Sequence, residues 1–79
     1  MNPIEHDFVD ILLFMGISRE EIRNEASFAK DYGFDETQFI CLALYIGIFF
    51  KVNVKESEYD ELVTVGQAIN FVKRKLKID

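Results

Sequence analysis

The segment from Phe39 to Phe50 restricts the fold of this chain more than any other feature. It is about a dozen residues long and contains no charged side chain, yet a membrane-spanning helix needs about 20 apolar residues. A helix that is apolar on all sides is normally buried on all sides. The chain has 79 residues, enough for one small domain. Such a domain has little material with which to surround a helix completely.

Helix-start signals divide the chain into helical segments. Each start pairs a capping residue with a Glu or Gln three positions later, as in Asn2 and Glu5, Ser18 and Glu21, Asp35 and Gln38, and Thr64 and Gln67. The pair at Ser18 predicts a single turn, and the segment from Glu56 to Leu62 predicts a short helix. The region from Arg23 to Phe34 has no clear period and is interpreted as a loop. We therefore predict an all-α domain over residues 1–79, with three main helices and one short helix.

The second main helix has two apolar faces when its residues are placed 100° apart. The predicted core face carries residues at helical spacing, namely Phe39, Leu42, Ala43, Ile46, Phe49 and Phe50. The opposite face carries Thr37, Cys41, Leu44, Tyr45 and Ile48, where a surface helix is normally polar. Two explanations remain open at this point. Either the bundle wraps the helix more fully than its size suggests, or the outer face is an interaction surface.

The residues that lead into this helix resemble a known signature. Asp31-Tyr32-Gly33-Phe34-Asp35-Glu36-Thr37 resembles the acyl carrier protein motif D-x-G-x-D-S-L, in which the Ser carries 4′-phosphopantetheine. Here Glu36 stands in place of that Ser. A carboxylate cannot replace the hydroxyl, because the prosthetic group is joined as a phosphodiester and a carboxylate would give at best a labile acyl phosphate. The resemblance therefore implies a carrier-protein fold without phosphopantetheine.

The similarity runs from about Met15 to Val72 without an apparent gap. Three further stretches resemble family motifs, namely Met15-Gly16-Ile17 with Glu20-Glu21-Ile22, Asn24-Glu25-Ala26-Ser27-Phe28, and Thr64-Val65 with Ala68-Ile69 and Phe71-Val72. The resemblance implies an acyl-carrier-protein-like four-helix bundle with helices at roughly 3–15, 36–50, 56–61 and 65–76. In the family the second helix is rich in Glu and Asp, which partner enzymes read with Lys and Arg. Here that helix is uncharged, so ordinary recognition by those enzymes is not expected.

Candidate partner-binding residues follow from the same helix: Asp35, Glu36, Thr37, Cys41, Leu44, Tyr45 and Ile48. Glu36 has two interpretations. A carboxylate at a helix N-terminus is favourable by about 0.3–1 kcal/mol, and the same charge could imitate the missing phosphate. The hydroxyl of Thr37 is displaced by about 100° around the helix and would present poorly to a modifying enzyme. Cys41 is interpreted as a small apolar residue.

Several other functions are not indicated. The formal charge of −5 argues against nucleic-acid binding. One Cys and one His provide neither a disulfide nor a metal-ligand set, and no catalytic motif is present. The N-terminal residues lack the basic region of a secretory signal, so a cytoplasmic protein without a transmembrane segment is expected.

Three functional hypotheses follow. The leading one is a non-enzymatic module that acts through protein–protein contact at its second helix. Its partner would be a second copy or an enzyme of fatty-acid or polyketide metabolism. The alternative is a genuine acyl carrier protein that is modified at an unusual residue or binds acyl chains non-covalently. The third is a structural subunit of a larger complex.

Overall fold

The computed structural model describes residues 3–77, and its regular structure is helical. Three α-helices span Pro3–Phe14 (α1), Glu36–Phe50 (α2) and Val65–Lys75 (α3). Two 3-10 segments, Arg19–Glu21 and Glu56–Glu61, lie between them. Within residues 3–77 no β-strand forms, and the pair Ser27 and Thr64 makes one isolated antiparallel bridge. The predicted all-α, acyl-carrier-protein-like bundle is confirmed, with its short helix in the 3-10 form.

Reciprocal capping explains where α2 and α3 begin. The Asp35 Oδ1 atom accepts a hydrogen bond from the Gln38 amide at 3.0 Å, and the Asp35 amide donates to Gln38 Oε1 at 2.9 Å. Thr64 and Gln67 repeat this arrangement at 3.2 and 3.1 Å. Each pair satisfies amides that would otherwise lack partners in the first turn. The Asn2 cap predicted for α1 lies outside the described residues.

The capping box predicted at Ser18 is wrong. The Ser18 hydroxyl donates to Glu21 Oε1 at 2.8 Å and makes no bond to a backbone amide of the turn that follows. The turn is only three residues long. A Ser hydroxyl can bond either a carboxylate or an amide, and here the exposed carboxylate is the nearer partner.

One apolar core joins the three α-helices. Its fully buried side chains include Phe8, Ile11 and Leu12 of α1, Leu42 and Ile46 of α2, and Ala68 and Val72 of α3. Phe8 stacks against Phe50 with ring centroids 6.5 Å apart, which joins the middle of α1 to the end of α2. Within residues 3–77 none of the helices has both the length and the apolar character needed to cross a membrane.

The connection between α1 and α2 is irregular but well anchored. Phe28 donates its amide to the Val63 carbonyl at 3.0 Å, and Val65 donates to Ala26 at the same distance. Gly66 donates to Asn24, also at 3.0 Å. These bonds hold the connection along the start of α3 and satisfy backbone groups that a buried loop would otherwise leave unpaired. The start of α2 is thereby fixed in position.

Candidate functional site

The turn before α2 is built by the first acidic residue of the signature. The Asp31 Oδ2 atom accepts from the Ser27 amide at 2.7 Å, and the Asp31 amide donates to the Ser27 carbonyl at 2.8 Å. Arg23 lies 3.6 Å from the same carboxylate. Gly33 follows with φ +67°, a conformation that glycine adopts without the steric cost of a side chain. Asp31 and Gly33 therefore serve to reverse the chain ahead of the helix.

The residues between this turn and α2 point in two directions. Phe34 is buried, with its ring 5.4 Å from Phe28 and 5.7 Å from Phe39. Asp35 is exposed and caps the helix. Asp31 and Asp35 thus both accept hydrogen bonds from backbone amides. The signature holds the helix start in place whether or not a prosthetic group follows it.

Glu36 is the first residue of α2 and is exposed. Its side chain contributes to the wall of an open groove of about 390 Å³. The other lining residues are mainly apolar or small: Ser27, Ala29, Phe39, Tyr59, Asp60, Leu62 and Val63. Glu36 and Asp60 are the two acidic residues among those that line the groove. Thr37 is exposed beside it.

The outer face of α2 is uncovered. Leu44 and Ile48 are 61% and 70% exposed, and Cys41 is also exposed. The explanation that the bundle wraps this helix more fully is therefore wrong for Leu44 and Ile48. The core side of the helix carries Leu42 and Ile46, which are fully buried in one core with side chains of α1 and α3. The segment after α2 only borders the other side, where it lines a shallow groove.

Tyr45 occupies a different environment from its neighbours on this face. It is half-buried and packs against the core, with its ring 6.3 Å from Phe14 and 6.4 Å from Phe49. The Tyr45 side chain therefore forms the edge of the exposed surface. Phe39 and Phe49, placed on the core face by the sequence, are likewise only partly buried.

Three exposed apolar residues were not identified from the sequence, namely Phe14, Ile40 and Val63, and the first two adjoin the outer face of α2. Phe14, the last residue of α1, is 65% exposed and lies 6.0 Å from Phe49 between ring centroids. Ile40 is 41% exposed. The exposure of Phe14 and Ile40 could have been predicted from helical spacing. Phe14 does not share the face of the α1 core residues, and Ile40 precedes the outer residue Leu44 by one helical turn. We refer to Phe14, Ile40, Cys41, Leu44, Tyr45 and Ile48 together as the α2 outer face.

A shallow groove borders the α2 outer face. Its volume is about 290 Å³, and it lies between the second half of α2 and the extended segment that follows. Its lining consists of Ala43, Leu44, Gly47, Ile48, Val52, Asn53, Val54 and Tyr59. Gly47 has no side chain to fill the groove, and a Cβ atom there would lie 3.2 Å from the Val52 carbonyl oxygen. The protruding side chains of Leu44 and Ile48 thus form one wall of a shallow depression with a mixed lining.

The perturbed titratable groups lie away from this face. Burial raises the pKa of Tyr32, whose hydroxyl donates to the Glu21 carbonyl at 2.7 Å. Lys75, whose ammonium is 2.6 Å from Glu58, lowers the pKa of that carboxyl. On α1, His6 Nδ1 lies 3.8 Å from a carboxylate oxygen of Asp7 and of Asp10. His6 is exposed and the two carboxylates are partly exposed, and acidic groups of this kind are common without an ion.

The fold and the turn at the start of α2 define an acyl-carrier-protein-like helical domain. The chain is 27% identical over 78 residues to an acyl carrier protein of Porphyromonas gingivalis strain ATCC 33277. It is similar to the same extent to an acyl carrier protein of strain W83. Both alignments cover 98% of this chain and 100% of the relative. No family model matches the chain. The predicted resemblance to acyl carrier proteins is confirmed over nearly the whole length.

Proposed function

We propose that this chain is a non-enzymatic, acyl-carrier-protein-like module that carries no phosphopantetheine and acts through protein–protein contact. The observation that carries the proposal is the exposure of Leu44 and Ile48 on a helix that has no charged side chain from Thr37 to Phe50. Glu36 occupies the position where the family attaches its prosthetic group. The relatives are acyl carrier proteins, so the proposed setting is fatty-acid or polyketide metabolism and the proposed partners include enzymes that act on acyl chains.

The chemistry at position 36 supports the absence of phosphopantetheine. Attachment needs a hydroxyl oxygen that can attack a phosphorus atom and then hold a stable phosphodiester. The exposed Glu36 carboxylate would form only a labile anhydride. The Thr37 hydroxyl is exposed, but it leaves the helix about 100° away from position 36. Asp35, which a modifying enzyme would also meet, is already committed to capping Gln38.

The α2 outer face supports a contact function. Monomeric proteins rarely expose large contiguous apolar patches, and those that do usually bind another molecule there. Here the exposed side chains lie within one helix and the adjoining end of α1, and Phe14 continues the patch through its ring contacts with Tyr45 and Phe49. Asp35, Glu36 and Thr37 stand exposed at one end of the patch. These three residues would form the polar edge of the interface.

The first experiment measures the intact mass of the purified chain before and after incubation with coenzyme A and a broad-specificity phosphopantetheinyl transferase. We expect no gain in mass. A conventional acyl carrier protein in a parallel reaction shows that the transferase is active, and Glu36→Ser tests whether the rest of the site is still recognised. A gain of one phosphopantetheine on the unmodified sequence would refute the proposal and restore the conventional carrier function.

A second candidate function rests on the groove beside Glu36. Its apolar lining, which includes Phe39, Leu62 and Val63, is suited to a hydrocarbon chain bound without a covalent link. Native mass spectrometry of the freshly purified protein distinguishes the two functions. Acyl species that remain bound to the wild-type chain, and are lost when Leu62 is replaced by Asn, would favour this alternative.

A further inference from the structure

We infer that the partner of the α2 outer face is a second copy of this chain, with the two α2 helices packed antiparallel. The inference rests on the proposed function, which makes this face a protein-binding surface, and it names the occupant. Two independent features of the face favour a second copy. One is the distribution of charge along α2, and the other is the presence of a protrusion and a depression on the same surface.

The charge of α2 is confined to its two ends. Asp35 and Glu36 are exposed at the start, and Lys51 is exposed directly after the last residue. These ends are about 22 Å apart at 1.5 Å per residue. In an antiparallel pair, Glu36 of each copy lies near Lys51 of the other, so both ends of the interface join opposite charges. A parallel pair would place Glu36 against Glu36 and Lys51 against Lys51, which is repulsive.

The shape of the face is also self-complementary. Leu44 stands midway between Glu36 and Lys51, so a two-fold axis through the interface passes near it. Ile40 and Ile48 lie four residues on either side of Leu44, and the antiparallel arrangement brings Ile40 of one copy opposite Ile48 of the other. There Ile40 would enter the groove beside Gly47. An interface between identical copies needs such a surface, because the same patch supplies both sides.

The expected dimer is weak and reversible. The face is one helix wide, with Phe14 at its margin, so the buried surface falls in the small class that is typical of transient contacts. Each copy carries a net charge of −5, which opposes association at low ionic strength. Measurements therefore belong at about 0.15 M salt, where charges separated by more than about 8 Å are largely screened.

Sedimentation equilibrium of the full chain, from micromolar to millimolar concentration, tests the dimer. We expect a monomer–dimer equilibrium in the wild type. Leu44→Asp is expected to raise the dissociation constant by more than about tenfold, because each copy loses an apolar side chain from the centre of the interface. Asn70→Asp is the control for charge, since it adds the same carboxylate at an exposed position of α3 outside the α2 outer face. Circular dichroism establishes that both variants keep the helical fold.

A charge exchange tests the antiparallel orientation. Glu36→Lys and Lys51→Glu are each expected to weaken association, since each leaves like charges together at both ends of the interface. The double variant E36K/K51E is expected to recover the wild-type dissociation constant. Single variants that leave association unchanged would overturn the antiparallel arrangement. Glu36 and Lys51 are both exposed in the folded chain. Recovery of the dissociation constant in the double variant would therefore report contact between the copies and not a change in the stability of the monomer.

The outcomes separate this inference from the function on which it rests. A wild-type chain that stays monomeric to millimolar concentration, or a dimer that Leu44→Asp does not weaken, overturns the inference. If the monomer instead binds an acyl-chain enzyme and Leu44→Asp abolishes that binding, the inference is wrong and the proposed function stands. A gain of phosphopantetheine by the wild-type chain contradicts the proposed function directly, whatever the oligomeric state.

Discussion

Replacement of Phe28 by Ala tests how the connection before α2 is held in place. The Phe28 side chain is fully buried. Its ring lies 5.4 Å from Phe34, 6.0 Å from Tyr32 and 6.2 Å from Phe39 between centroids. Phe28 therefore joins both sides of the signature turn to the first turn of α2. Phe34 also contacts three rings, those of Phe28, Tyr32 and Phe39, so the two buried rings form one aromatic cluster around the turn.

The expected decrease in the free energy of unfolding follows from the burial of the Phe28 ring. Truncation of a buried Phe to Ala typically costs about 3–5 kcal/mol, because apolar contact is lost and a cavity remains. A chain of 79 residues has an unfolding free energy of about 4–12 kcal/mol at 0.05–0.15 kcal/mol per residue. The substitution is therefore expected to remove about a quarter or more of the total stability. In a domain of this size 1 kcal/mol corresponds to about 4–8 °C in Tm, so the expected fall exceeds about 12 °C.

Urea unfolding followed by circular dichroism measures this loss, with Phe14→Ala as the matched control. Phe14 undergoes the same chemical change but is 65% exposed, so its cost is expected to stay below about 1 kcal/mol. A loss under about 1 kcal/mol for Phe28→Ala, or equal losses for the two variants, would refute the role assigned to the buried ring. Folding should be compared at low protein concentration, where association through Phe14 does not contribute.

Three further predictions concern caps and titratable groups. Asp35→Ala is expected to lower the free energy of unfolding by about 0.5–2 kcal/mol, because it removes the α2 cap. Asp35→Ser is expected to keep most of that stability. Equal Tm values for the two variants would contradict the capping role of Asp35. Lys75 lowers the pKa of Glu58 below its ordinary 4.5, so the stability that this carboxylate contributes is present above pH 4.5 and is lost as the pH falls through its lower folded value. Glu58→Gln should therefore be less stable than the wild type at pH 7 and approach it in acid, and parallel pH profiles would disprove the assignment. Burial raises the pKa of Tyr32 above 10.0. Tyr32→Phe should therefore remove a tyrosinate absorbance component that appears above pH 10. An unaltered absorbance titration curve would contradict the raised pKa.

Local signals predicted the helices because each signal acts over three or four residues. Reciprocal caps at Asp35 and Thr64 mark the starts of α2 and α3 as the sequence indicates. The ends of the main helices lie within one residue of the bounds that the family resemblance implies. One local prediction was wrong. Ser18 bonds a carboxylate instead of the backbone, because the choice between competing local hydrogen bonds depends on the surrounding packing. The predicted short helix is present and takes the 3-10 form.

The environment of each side chain on α2 required the tertiary structure. Periodicity separates the two faces of the helix, but it does not show which neighbours reach them. Tyr45 becomes half-buried because Phe14 and Phe49 surround its ring. Phe14 becomes exposed because α1 ends at that residue, beyond the part of the core that would have covered it. The groove beside Gly47 forms only when the segment containing Val52 and Val54 folds back along α2.

The helix starts at Asp35 and Thr64 and the resemblance to acyl carrier proteins could be predicted from the residues alone, and the proposed correspondence of Glu36 with the attachment Ser comes from that resemblance. These properties depend on residue identity and on spacing within a few positions. The uncovered outer side of α2 and the groove beside it became evident only from the packing of the folded chain. The isolated β-bridge between Ser27 and Thr64 likewise could not be predicted from the sequence. Such features depend on contacts between residues far apart in the chain, and their energies are set by burial, which no local pattern encodes.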